Sequence, residues 1–144
     1  YILDSKYLPK TVRDTFHKLD KTILLFEGGK SNSLDTKVID AGVCGALNVM
    51  KSLNMKEGEI DSTVSPVIIK KSKWIRAPYS GMFLLKVANG GKVNKKDVLG
   101  IIQDPFGDFE RKVLAPFDCH VFCVNTSPIV NKGNALFHVS VEIE

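Results

Sequence analysis

Apolar positions follow two different rhythms along this chain, and the change comes near residue 64. In the first stretch, Leu8, Val12, Phe16 and Leu19 recur at helical spacing behind Pro9, a residue suited to a first helical turn, and predict a short helix over residues 8–20. The run Thr22-Ile23-Leu24-Leu25-Phe26 is continuously apolar and rich in strand formers, the pattern of a strand buried on both faces in an α/β sheet. It ends in Glu27-Gly28-Gly29 and a polar loop, Lys30-Ser31-Asn32-Ser33. A longer helix is predicted from Leu34 or Asp35 to Leu53, with Ile39, Val43, Ala46, Leu47, Met50 and Leu53 on one stripe. Gly42 and Gly45 inside it each cost helix stability of about 1 kcal/mol, and close backbone packing is the expected compensation. Asn54 reads as a left-handed helix stop, and residues 56–63 read as a polar linker.

From Val64 onward the rhythm becomes short strands punctuated by proline and glycine, predicted over 66–75, 81–87, 98–103, 109–114, 120–125 and 135–141. This half repeats itself. Arg76-Ala77-Pro78-Tyr79-Ser80-Gly81-Met82-Phe83-Leu84 leads through Val93-Asn94-Lys95 to Leu99 and Ile101. Leu114-Ala115-Pro116-Phe117-Asp118-Cys119-His120-Val121-Phe122 leads through Val130-Asn131-Lys132-Gly133 to Leu136. Each copy is a thin hooked strand set with one apolar face, and two copies related by a pseudo-twofold can bury those faces on each other. Gly81, Gly91 and Gly133 are expected at turns that call for positive φ.

Composition adds little constraint: 144 residues, 44% hydrophobic and 25% charged, with a formal net charge of +4, describe an ordinary globular chain. No apolar run approaches the ~20 residues of a membrane helix, so no membrane partner is expected. The basic excess lies after residue 66, densest at Lys70, Lys71, Lys73 and Arg76. Only Trp74 accompanies these cations, which does not make a nucleic-acid platform, and they read as the charges of an edge strand. Cys44, Cys119 and Cys123 lack the spacing of a disulfide framework and suggest a reducing, cytoplasmic compartment. Cys119 and Cys123 lie in one strand, roughly 13 Å apart along it, too far to bridge or to share a metal. A chain opening on Tyr1-Ile2-Leu3-Asp4 is expected to be cut from something longer, with any targeting signal upstream.

The repeat resembles the biotinyl/lipoyl domain family, a barrel-sandwich hybrid of two hammerhead-like halves, over about residues 75–139. Carrier members present a lysine at the hairpin between the halves. Here that hairpin is Asp104-Pro105-Phe106-Gly107-Asp108-Phe109, without a lysine at its tip, so no tethered cofactor is expected. The larger order of parts is an apolar run delivering Glu27-Gly28, a helix containing Gly45-Ala46-Leu47-Asn48-Val49-Met50, and the terminal β domain. It is similar to the succinylglutamate desuccinylase/aspartoacylase family of zinc hydrolases.

The resemblance implies metal-assisted amide hydrolysis in the full-length protein, with zinc polarising a small-molecule amide and Glu27 as general base. Read without it, Glu27 is more simply a glutamate that reaches solvent at the end of a strand. Lys30 is a weak candidate for binding a substrate carboxylate. The family's zinc ligands, a His-x-x-Glu pair and a later histidine, have no counterpart here, so no metal is expected on this segment by itself. His17-Lys18-Leu19-Asp20 is the nearest imitation and reads as a solvated helix end, while His120 and His138 read as ordinary strand residues.

The expected fold is α+β: residues 1–63 as a remnant of an α/β zinc-hydrolase domain, strand plus helices, then residues 64–144 as an all-β barrel-sandwich hybrid of two hammerhead-like repeats. The expected function is that of a zinc-dependent deacylase or amidohydrolase acting on an N-acyl amino acid or similar amide, the segment alone being inactive. The rival is a non-catalytic barrel-sandwich binding or assembly module. The Thr22–Phe26 strand is expected to pair with the β domain, or with a neighbouring chain in a homo-oligomer.

Overall fold

A computed structural model describes residues 1–4, 8–61 and 65–144. The domain boundary expected between residues 63 and 64 lies outside the described residues. The elements in chain order are β1 (Ile2–Leu3), α1 (Val12–Lys18), α2 (Thr36–Ser52), β2 (Ile68–Arg76), β3 (Gly81–Leu85), β4 (Lys92–Val93), β5 (Val98–Gln103), β6 (Glu110–Leu114), β7 (Cys119–Val124), β8 (Ile129–Val130) and β9 (Ala135–Ile143). The fold is α+β, and the chain divides into two compact units: a β sandwich that includes residues 1–4 and 66–144, and a helical unit that includes residues 8–61.

The sandwich has two sheets, ordered β1-β2-β9-β7-β4 and β6-β5-β3-β8. The repeat explains this order. Setting β2, β3, β4 and β5 against β6, β7, β8 and β9 turns each pairing into its twin: β2–β9 into β6–β5, β7–β9 into β3–β5, and β4–β7 into β8–β3. The turns repeat atom by atom. The Gly133 amide donates to the Ala77 carbonyl and the Lys96 amide to the Ala115 carbonyl, both at 2.8 Å. The Lys132 amide donates to Ser80 Oγ at 2.9 Å, and the Lys95 amide donates to Asp118 Oδ1 at 2.7 Å. Gly133 has φ +92° and Lys96 φ +74°, so one copy of the same left-handed turn carries a lysine. Gly91 is not left-handed; its neighbour Gly90 takes that role at φ +88°.

Phe83, Leu99, Ile102, Val121, Val130, Leu136, Phe137 and Val139 form a single buried core, and register shifts opposite Leu136 and beside Leu99 break the simple alternation there. Phe83 and Phe137 meet edge to face at a centroid distance of 5.8 Å. On the outer face, His138 stacks on Trp74 at 4.2 Å and lies within hydrogen-bonding distance of Ser72 Oγ, 2.9 Å from its Nε2. The basic segment is less of a free edge than its charge suggests. β1 pairs in parallel with β2 at Ile68 and Ile69. Lys70 forms ion pairs with both Asp4 and Glu144 at 2.8 Å, joining β1 and the end of β9 to β2. These two carboxylates hold the Lys70 ammonium well above its ordinary pKa.

In the helical unit, α1 is shorter than its apolar spacing suggests. Thr11 is its N-cap, accepting from the Asp14 amide, and Pro9 stands in the preceding turn. α2 begins at N-cap Asp35, which accepts from the Val38 amide, and ends ahead of Asn54, left-handed at φ +56°. No helix among the described residues is long and apolar enough to cross a membrane.

Candidate functional site

Thr22–Phe26 is where the structure departs from the sequence reading. Among the described residues it forms no strand ladder. Leu24 is 78% exposed and Leu25 58%. An apolar run demands cover but does not say what kind. Here only the last residue meets a helix, the Phe26 ring resting against α2 at Gly42 while the residue stays largely exposed. Glu27 follows at once, exposed, and forms no ion pair or hydrogen bond with the described residues. Gly28 next to it faces Val38, and Gly29 turns the chain at φ +88°. Lys30 sits in the loop beyond, exposed, in an isolated bridge with Ser33.

Two shallow depressions lie in the helical unit, and Glu27 lines neither. One, of about 290 Å³, is bordered by Asp40, Val43, Cys44, Leu47, Asn48, Lys51 and Asp61. The side-chain amide of Asn48 ties Asp61 to α2 twice: Nδ2 donates to the Asp61 carbonyl at 2.6 Å, and Oδ1 accepts from its amide at 3.1 Å. The other, of about 230 Å³, is bordered by His17, Asp20, Lys21, Thr22 and Ile23. His17 closes α1, and Asp20 follows in a left-handed turn at φ +52°.

Among the described residues no three His, Cys, Asp or Glu side chains come together to hold a metal ion, so the residues present do not fit the zinc that the resemblance implies. Cys44 and Cys119 are free thiols. Burial, and then the charge of Asp118, push the Cys119 thiol above its usual pKa, the opposite of an activated nucleophile. Burial lowers the pKa of His138, which is engaged with Trp74, Phe122 and Ser72 on the outer sheet face. The Trp74–His138 pair was not foreseen. The signal existed, since both residues occupy outward positions of strands, but the register that aligns them does not show in the sequence.

No protein-family profile matches the chain, and no curated protein matches it by sequence. Solved structures do. A succinylglutamate desuccinylase from Silicibacter sp. TM1040 superposes with a TM-score of 0.83 at 14% identity, covering 99% of this chain and 44% of that one. The ectoine utilization protein EutE of Ruegeria pomeroyi superposes at 0.81 with 16% identity, over 91% of this chain and 43% of that one. A succinylglutamate desuccinylase/aspartoacylase from Rhodobacter sphaeroides gives 0.67 at 20% identity, over 78% and 37%. This chain thus spans less than half the length of each of these three. Its fold is that of the C-terminal portion of succinylglutamate desuccinylase/aspartoacylase family structures.

Proposed function

We propose that this chain is the C-terminal portion of an amide hydrolase, residues 1–63 belonging to its catalytic domain except for 1–4, which join the β unit, and 64–144 forming a lipoyl-like domain, with Glu27 as general base. The substrate class is an N-acyl amino acid or a similar small amide, bound with help from Lys30. The observation that carries the reading is the fold likeness across both units, at a TM-score of 0.83 over 99% of the chain. Glu27 is supplied by the segment that the sequence singled out and lies between two residues seated on α2.

The described residues do not form a zinc site, and the chemistry assigned to this chain is that of Glu27 alone. Its carboxylate takes a proton from the hydrolytic water as the water oxygen bonds to the amide carbon. It returns that proton to the nitrogen as the C–N bond breaks, giving acid and amine. A rival reading, a non-catalytic assembly module, draws on one observation: Glu27 is exposed and borders neither depression. Thr22–Phe26, unladdered here, would in that case be the surface through which copies associate.

One substitution separates the two. In the full-length protein, Glu27→Gln is expected to lower turnover of N-acyl amino acids by about 10²–10⁴-fold with metal content unchanged. Wild-type turnover in that variant would end the catalytic assignment and favour the module.

A further inference from the structure

Two glycines interrupt α2, and the structure separates them. A Cβ built on Gly45 meets nothing within 4 Å. A Cβ built on Gly42 would lie 3.0 Å from Phe26 Cε1, 3.4 Å from Cδ1 and 3.5 Å from Cζ. Only at 42 does a bare helix backbone receive a neighbour. One turn earlier on the same helix face, Val38 meets the other side of the motif: a Cβ on Gly28 would fall 2.5 Å from Val38 Cγ1 and 3.4 Å from Phe26 Cζ. Val38 is β-branched and stiff at χ1, so it cannot readily swing away. Phe26 and Gly28 flank Glu27 in the chain, and both are seated on the Val38–Gly42 face of α2.

We propose that Gly42 is a positioning residue for Glu27. Its missing side chain lets the Phe26 ring seat on α2, and Gly28 against Val38 fixes the other end, so the backbone of Glu27 is held between two stops. This rests on Glu27 being the general base. Stability is not the main product of the contact, because the Phe26 ring stays 62% exposed and removes little area from water. What it secures is the height of the Glu27 backbone above the helix, and catalytic groups displaced by about 1 Å lose on the order of 10²-fold in rate.

The test uses the full-length protein. Gly42→Ala is expected to lower kcat about tenfold to a hundredfold with KM little changed. Adding Phe26→Leu, which shortens the ring that the new methyl meets, is expected to restore much of the loss. Gly45→Ala, in open space, is expected to leave turnover unchanged. Phe26→Ala removes the seat without adding bulk and is expected to lower kcat at constant KM, which keeps the idea testable if Gly42→Ala fails to fold. Wild-type kcat in Gly42→Ala or in Phe26→Ala, beside an inactive Glu27→Gln, would overturn the positioning role and leave the catalytic one standing. A loss in Gly42→Ala that Phe26→Leu does not relieve would overturn it too. Full turnover in Glu27→Gln would remove the reading on which it rests.

Discussion

Leu136, Phe137 and Val139 in β9 are fully buried, while α2, with nearly twice as many residues as β9, buries none of them. Both elements are amphipathic, and they differ in what their own unit supplies to cover them. The sandwich closes its core from within, because each repeat brings the apolar face that the other lacks. The helical unit carries Leu24, Leu25, Ile39, Val43 and Leu53 exposed. Amphipathic patterning therefore records that a face needs a cover, and the same pattern appears whether or not the cover is part of the unit.

This contrast can be tested by substitution. The largest effect is expected in the sandwich core, where Phe137→Ala should cost about 3–5 kcal/mol, read as a lower midpoint in chemical unfolding followed at sandwich residues. A cost below about 1 kcal/mol would mean that the two sheets do not share one close-packed core. The repeat predicts a paired second effect. Gly133→Ala should lose about 1–2 kcal/mol at its left-handed turn, whereas Lys96→Gly in the twin turn should be neutral or slightly stabilising. Equal losses in both would show that the twin turns are not equivalent.

A smaller effect concerns pH. His138, half-buried between Trp74 on β2 and Phe122 on β7 and facing Ser72, has its pKa lowered by burial. The unfolded chain then binds the proton more readily. The stability tied to this group is complete above its ordinary value of 6.5 and is lost as pH falls from there toward the lowered native value. Unfolding midpoints measured from pH 8 to pH 5 should show this decline, and His138→Gln should flatten it. An unchanged slope in the variant would assign the decline to other groups. The smallest effect is expected at Leu24, 78% exposed, where Leu24→Ser should change the stability of this chain by less than about 0.5 kcal/mol. A loss above 1 kcal/mol would mean that the face is covered in solution, and sedimentation would show whether by a second copy.

The sandwich was legible in the sequence because its information is local and written twice. β5 begins and ends at the residues predicted for it, 98 and 103, and the paired Ala-Pro and Val-Asn-Lys segments announce matching hooks. β1 was not legible. Two residues carry no periodicity, and Ile2–Leu3 becomes a strand through Ile68 and Ile69 and the Asp4–Lys70 ion pair, all remote in sequence. Thr22–Phe26 forms no strand within the chain for a related reason: apolar character does not distinguish a ladder from a seat on a helix. The place of Glu27 in the order of parts, after an apolar run and before Gly28-Gly29, could be read directly, but not that the run forms no strand. Its supports could be glimpsed only as an oddity, since a glycine inside a good helix needs a reason, and which of the two glycines had one depended on where Phe26 came to rest.

Each sheet of the sandwich draws strands from both repeats, with β9 and β7 lying between β2 and β4, and β5 and β3 between β6 and β8. Neither half owns a finished layer. Severing the backbone in the Asp104–Phe109 hairpin would leave two polypeptides whose strands complete the sandwich only in each other's company. The interior is thus of the kind that two like partners make on associating, here joined through one hairpin.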